Sequence, residues 1–240
     1  MSQRLTTRLR HRTRTRTAFR GLAISSALAA VSGSLGGGCA SRPTSKVSLR
    51  AGMDVSQSQS RAERETLCGL LDEVVSRCLP SGSDLCLWTF DREPRKLFAG
   101  PLAKPEELHQ VEDELILGPS QSPPRKGRPL PTGTFVAPML EALLPSIPAT
   151  NSPQERVGVL LLVDGEDWDR ERTHRAATIL ARRQEIRAIW VAGVLTDGEL
   201  NFREAVEGSL SPFGDRLIVS GTYDLKQGLE QFEARLKGEK

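Results

Sequence analysis

The stretch Arg156-Val157-Gly158-Val159-Leu160-Leu161-Leu162-Val163, closed by Asp164-Gly165, is the most apolar in the chain. A short run that is apolar at odd and even positions alike and is stopped by a turn dipeptide reads as a strand covered on both faces. Asp84 to Phe90 and Ile186 to Leu195 share the pattern. Three further segments are strand-like by alternation or propensity: Val47 to Val55, Arg95 to Ala99 at an edge, and Arg216 to Ser220. Helical spacing fills the intervals. Leu67, Leu70, Leu71, Val74, Val75 and Cys78 make one apolar face of a helix over 61–79. Helices are also expected over 105–117, 135–144, 170–185 (with Ala176, Ile179 and Leu180 inward), 201–206 and 224–236, the last opened by a capping box of Asp224 and Gln227. Strands alternating with helices, several of them buried on both faces, predict an α/β fold with a doubly wound, mostly parallel sheet flanked by helices. In such sheets the working groups gather at the carboxyl ends of the strands.

The chain has 240 residues and a formal charge of +3, which on its face suggests a nucleic-acid partner. The distribution excludes that reading. Seven of the 33 basic residues are arginines in the first twenty positions, ahead of the first acid, Asp54. The remaining 26 face 30 acidic residues, so the body is mildly acidic and no nucleic-acid partner is expected. A basic leader before an acidic body is an address pattern. Gly21 to Gly38 is uncharged, half aliphatic and half Gly or Ser. That is too polar for a stable membrane span, and it suits the apolar region of an export signal.

Leu35-Gly36-Gly37-Gly38-Cys39 ends the leader. It resembles the lipobox of bacterial lipoproteins, although Gly36 stands where most members carry Leu. The resemblance implies a signal peptide over 1–38, lipidation of Cys39, a tether over 39–46 and export to the cell envelope on a lipid anchor. An ordinary signal peptide and an organelle-type transit peptide are the alternatives. Cys68, Cys78 and Cys86 form no CxxC pair; one disulfide with a leftover thiol, or three buried thiols, are both open, and burial is preferred.

Three strand ends carry residues suited to chemistry. The first strand ends in Asp54-Val55-Ser56-Gln57-Ser58, the loop before the third helix carries Thr132-Gly133-Thr134, and the strand over 156–163 ends in Asp164-Gly165-Glu166. In this order the three elements, over 47–240, resemble the von Willebrand factor A domain with its DxSxS, Thr and Asp-Gly elements. The resemblance implies a Rossmann-like fold and a metal-ion-dependent adhesion site. In that site Ser56, Ser58 and Thr134 coordinate a divalent ion, and Asp54 and Asp164 anchor it, partly through water. Hydroxyls with few carboxylates are a hard-oxygen set suited to Mg²⁺, or to Mn²⁺ or Ca²⁺. An ion so held keeps positive character and can take an acidic side chain of a protein partner as its last ligand.

Val163 departs from the family, many of whose members have Thr before the Asp-Gly. Thr196-Asp197-Gly198-Glu199 is a closer literal match to that element, but it follows one strand too late, and Asp197 is read as a loop residue. The proline-rich segment Gly118 to Pro131 borders the expected site. No catalytic residue is expected. A phosphatase using Asp54 as nucleophile would need a second Asp two residues on, where Ser56 stands. The remaining alternative keeps the fold and drops the metal, leaving an envelope adaptor.

Overall fold

The computed structural model describes residues 46–56, 60–91, 93–102, 106–117, 135–147, 155–163, 169–193 and 199–238. The leader over 1–38, Cys39 and most of the expected tether lie outside the described residues. Residues 41–240 form one compact unit.

Six strands, β1 (Lys46–Asp54), β2 (Asp84–Phe90), β3 (Arg95–Pro101), β4 (Glu155–Val163), β5 (Ile186–Gly193) and β6 (Leu217–Ser220), form a single sheet in the order β3-β2-β1-β4-β5-β6. All neighbours are parallel except the β2/β3 pair at one edge. The helices are α1 (Arg61–Cys78), α2 (Glu106–Leu117), α3 (Val136–Leu143), α4 (Arg170–Leu180), α5 (Glu199–Leu210) and α6 (Leu225–Lys237). The expected doubly wound α/β sheet is therefore present. Its two faces carry separate apolar layers. Leu67, Leu71 and Val74 of α1 and Leu229, Phe232 and Leu236 of α6 pack on one face with Leu49, Ala51 and Met53 of β1. Met139, Leu140, Ala177, Leu180 and Phe202 pack on the other with Val159 and Leu161 of β4. Burial on both sides is why β4 is a near-continuous apolar run, whereas β1 keeps buried polar groups at Ser48 and Arg50.

The ends of several helices differ from expectation, each for a local reason. Helix α4 stops at Leu180 rather than at residue 185. The guanidinium of Arg216 donates to the carbonyl oxygens of Ala181 (2.6 Å), Arg183 (3.1 Å) and Ile186 (3.2 Å), satisfying groups that a longer helix would have bonded internally. The inward face of α4 is Thr173, Ala176, Ala177 and Leu180, and Ile179 is exposed. One residue turns a helix by about 100°, which carries Ile179 off the stripe. Asp224 makes no capping bond at the start of α6; its Oδ2 accepts instead from Arg203 Nη2 at 2.6 Å.

Cys68, Cys78 and Cys86 are free and buried, as preferred from sequence. Burial pushes the Cys68 thiol up to about 12 and the Cys78 thiol up to about 11, with nearby carboxylates adding to the rise. Neither yields a thiolate at neutral pH, so both are poor nucleophiles in the native protein.

Helix α6 lies close on β5 and β6 because Gly228 has no side chain. A Cβ there would overlap Ser220 Oγ and stand 2.7 Å from Trp190 Nε1, two groups that hydrogen-bond to each other at 3.0 Å. Gly228→Ala is expected to lower the unfolding free energy by about 2 kcal/mol in urea titration, overpacking outweighing the gain in helix propensity. Ser220→Ala in the same background recovers part of that loss. Thiol-reactive probes are expected to label Cys68 and Cys78 only when the protein is unfolded; labelling of the native protein at the rate of a free thiol contradicts their burial.

Candidate metal-binding site

Strand order reverses between β1 and β4: from β1 the chain passes to β2 on one side, and it returns to β4 on the other. Ligands of open α/β sheets bind at the carboxyl ends of the strands at such a point. Asp54 is the last residue of β1 and is fully buried. Its neighbour Met53 is in register with Leu162, and so β1 and β4 finish side by side, about 4.8 Å apart.

The turn that leaves β1 is held from both directions. Val55 N–H donates to the carbonyl of Phe90 on β2 at 2.9 Å, which extends the strand pairing by one residue. Ser56 N–H donates to Asp54 Oδ1 at 2.8 Å. This Asx-type bond fixes the carboxylate at the strand end and bends the chain away from the sheet. Ser56 is itself buried. Ser60 then caps α1: its Oγ accepts from Glu63 N–H at 3.2 Å, and Glu63 Oε2 accepts from Ser60 N–H at 2.6 Å. Sequence reasoning missed this capping box, although Ser60-Arg61-Ala62-Glu63 spells it in plain form.

Asp54 and Ser56 are thus brought together at the switch point. Ser58, Thr134 and Asp164 lie outside the described residues, as do Asp197 and the segment 118–131. Residues close to them in the chain are described: Ser60 caps α1, Phe135 is the first residue ahead of α3, and Val163 ends β4. Helix α3 is set firmly against β1. Met139 sits over Gly52, where a Cβ would stand 2.9 Å from Met139 Cε. At its far end the buried Arg50 donates from Nε to the carbonyl of Ser146 at 3.0 Å, from Nη1 to Leu49 O at 3.2 Å and from Nη2 to Asp84 Oδ2 at 2.7 Å. One arginine therefore ties β1, β2 and the turn after α3, fixing the helix that follows the Thr134 segment.

The described donors suit a hard cation. A buried carboxylate and a buried hydroxyl two residues apart are oxygen ligands of the kind Mg²⁺ and Mn²⁺ accept. Among the described residues no group of three or more His, Cys, Asp or Glu is assembled for a metal.

No protein-family model matches the sequence, and no curated relative matches it. Solved structures of the same fold do exist. A proximal thread matrix protein from the mussel byssus, with a zinc-occupied MIDAS motif, aligns with a TM-score of 0.53 and 17% identity, covering 81% of this chain and 46% of that one. A von Willebrand factor type A protein from Catenulispora acidiphila aligns at 0.53 and 13%, covering 80% and 43%. An aerotolerance-related membrane protein from Bacteroides fragilis aligns at 0.54 and 13%, covering 80% and 99%. The chain spans about half the length of the mussel protein. At these identities the likeness is one of fold: the six-stranded, mostly parallel sheet flanked by helices is that of von Willebrand factor A domains.

Close packing of α3 on β1 gives a test of how the site is framed. Gly52→Val places branches beyond the space left by Met139 and is expected to destabilise the fold by about 2 kcal/mol. Met139→Ala in the same background restores much of that by vacating the volume. A Gly52→Val protein as stable as the parent in urea contradicts the contact.

Proposed function

We propose that this von Willebrand A-like domain is a binding module that uses a divalent cation, Mg²⁺ by preference, to grip an acidic side chain of a protein partner. The observation that carries the reading is the fully buried Asp54 at the sheet's switch point, its Oδ1 pinned by Ser56 N–H. A carboxylate in that position is electrostatically expensive, and a divalent ion lowers the expense. In this reading Asp54 and Ser56 hold the ion with Ser58, Thr134 and Asp164. A bound ion supplies a Lewis-acidic coordination position to which a carboxylate can bind.

The chain's own contribution is preorganisation. The Asx turn holds Asp54 before any ligand arrives, the capped α1 fixes the far side of the DxSxS segment, and Arg50 with Gly52 fixes α3. A positioned Asp54 and Ser56 reduce the ordering cost of binding the ion. The zinc-occupied motif of the mussel protein supports divalent-ion use in this fold. No catalytic step is proposed.

The second part of the proposal is location: an exported domain, held at a membrane by lipid on Cys39. The lipobox-like end of the leader supports it, as does the membrane association named for the Bacteroides fragilis protein. Among the described residues no helix is long and apolar enough to cross a membrane.

The metal is tested by thermal unfolding with Mg²⁺ or Mn²⁺ against chelator. At about 100 times the dissociation constant a bound ion adds roughly 2.7 kcal/mol. For a domain of this size that raises the midpoint by about 5–10 °C. Asp54→Asn keeps an acceptor for Ser56 N–H and loses the charge, so it is expected to fold normally and to lose the metal response. A parent protein indifferent to both ions supports a metal-free adaptor instead. Palmitate labelling in the native host tests the anchor: incorporation should disappear in Cys39→Ala, and its persistence would remove the lipobox reading.

A further inference from the structure

The end of the sheet opposite Asp54 holds a cavity of about 690 Å³, a volume within the range of small-molecule sites. It opens where β1 and β4 begin and where α1 and α6 finish. Four cations line it, Lys46, Arg77, Arg156 and Lys237, and among the described residues no carboxylate does. The same lining includes the buried apolar residues Val47, Cys78 and Leu236.

Two of the four cations have a structural role. Arg77 and Lys237 lie in the last turns of α1 and α6, where the helix dipoles favour positive charge, and both pair with Glu233. Glu233 is held below the ordinary carboxylate range by those two partners, Lys237 foremost. The other two belong to strands: Lys46 opens β1 in register with Glu155 of β4, and Arg156 is in register with Val47. Among the described residues Lys46 and Arg156 have no carboxylate partner. Arg156 spends one donor on the carbonyl of Leu236, at 2.9 Å, leaving the rest of its fork for another acceptor. Ser76, Ser81 and Ser83 add hydroxyls along one wall.

Surplus cations beside apolar side chains in one cavity fit an anion that carries an apolar part. We propose that this cavity is a site for a phosphate-bearing amphiphile, with Lys46 and Arg156 taking the phosphate and Val47, Cys78 and Leu236 receiving the apolar stem. Arg is suited to the planar, two-point grip that phosphate oxygens accept. Lys46 follows directly on the segment expected to tether the chain, and so an anionic lipid headgroup is the source favoured. That choice of source rests on the proposed membrane anchor, whereas the anion site does not.

The unit over 41–240 holds all six strands and both apolar layers, so its core is complete without residues 1–40, and it lacks Cys39. Its co-sedimentation with phosphatidylglycerol vesicles, and not with phosphatidylcholine vesicles, is the expected result. Each cation near an anionic surface is worth about fivefold in partition, so Lys46→Gln with Arg156→Gln should weaken binding about 30-fold. Arg61→Gln, in the exposed first turn of α1 at the opposite end of the sheet, should leave it unchanged. Lys46→Glu alone, at an exposed position, keeps the measurement interpretable if loss of the Arg156 bond disturbs α6.

A second arm follows thermal unfolding with glycerol phosphate. A Lys46-dependent rise in midpoint without vesicle binding supports the phosphate site and reassigns its source to a soluble compound. Equal binding to both vesicle types, or vesicle binding and midpoints that ignore Lys46 and Arg156, overturns the proposal. Because Cys39 is absent from this protein, none of these outcomes depends on whether the anchor exists.

Discussion

Parallel pairing of β1 with β4 over eight residues, covered by apolar layers on both faces, is the constraint on which the rest depends. A parallel pair cannot be closed by a hairpin, so each connection must cross over and bring a helix down on one face. Because β1 passes to β2 while β4 lies on its other side, the helices divide between the two faces, and a crevice opens where the division occurs. The chemistry expected of the chain sits at that crevice. The cation-lined cavity sits at the other end of the same two strands.

Polar groups inside this framework are few and are used to fix position. Arg50 would be costly at 2% exposure were its donors unsatisfied, yet each of its three nitrogens has a partner. Its pairing with Asp84 adds little net stability in principle, since desolvation offsets most of the attraction. What it contributes is registration of β1, β2 and the turn after α3 at a single point. Asp54 and Ser56 act similarly at the opposite end, spending one backbone donor to define a turn.

Much of this was legible in the chain. The all-apolar runs of β4 and β5 announced two-sided burial, the α1 stripe from Leu67 to Cys78 is buried throughout, and Asp54 stands at a strand end as its position after Met53 implied. What escaped depends on partners far away in sequence. Nothing within 170–185 shows that Arg216 will collect the carbonyls that end α4, and nothing near Asp224 shows that Arg203 will compete for its carboxylate. The burial of Arg50 requires Asp84 and Ser146 to converge on it, which no single strand reveals. The Ser60 box is different in kind: it is local, and the alternation of the DxSxS segment drew the eye past it. Two members of the expected ligand set, Asp54 and Ser56, lie among the described residues, at the end of β1 and in the turn that follows it.

The three buried thiols bear on how the chain is made. Cys68 and Cys78 sit ten residues apart on one straight helix, roughly 15 Å along its axis, more than twice the reach of a disulfide. Cys86 belongs to the apolar layer on the other side of the sheet. No two of them can be joined without dismantling α1 or passing through β1, so any bridge among them belongs to a misfolded chain. Under the proposed export, folding becomes a race: collapse of the two layers must hide the sulfurs before oxidants or oxidoreductases reach them. Disulfide-forming machinery would then offer these three thiols no native bridge to make, and their protection would come from burial alone.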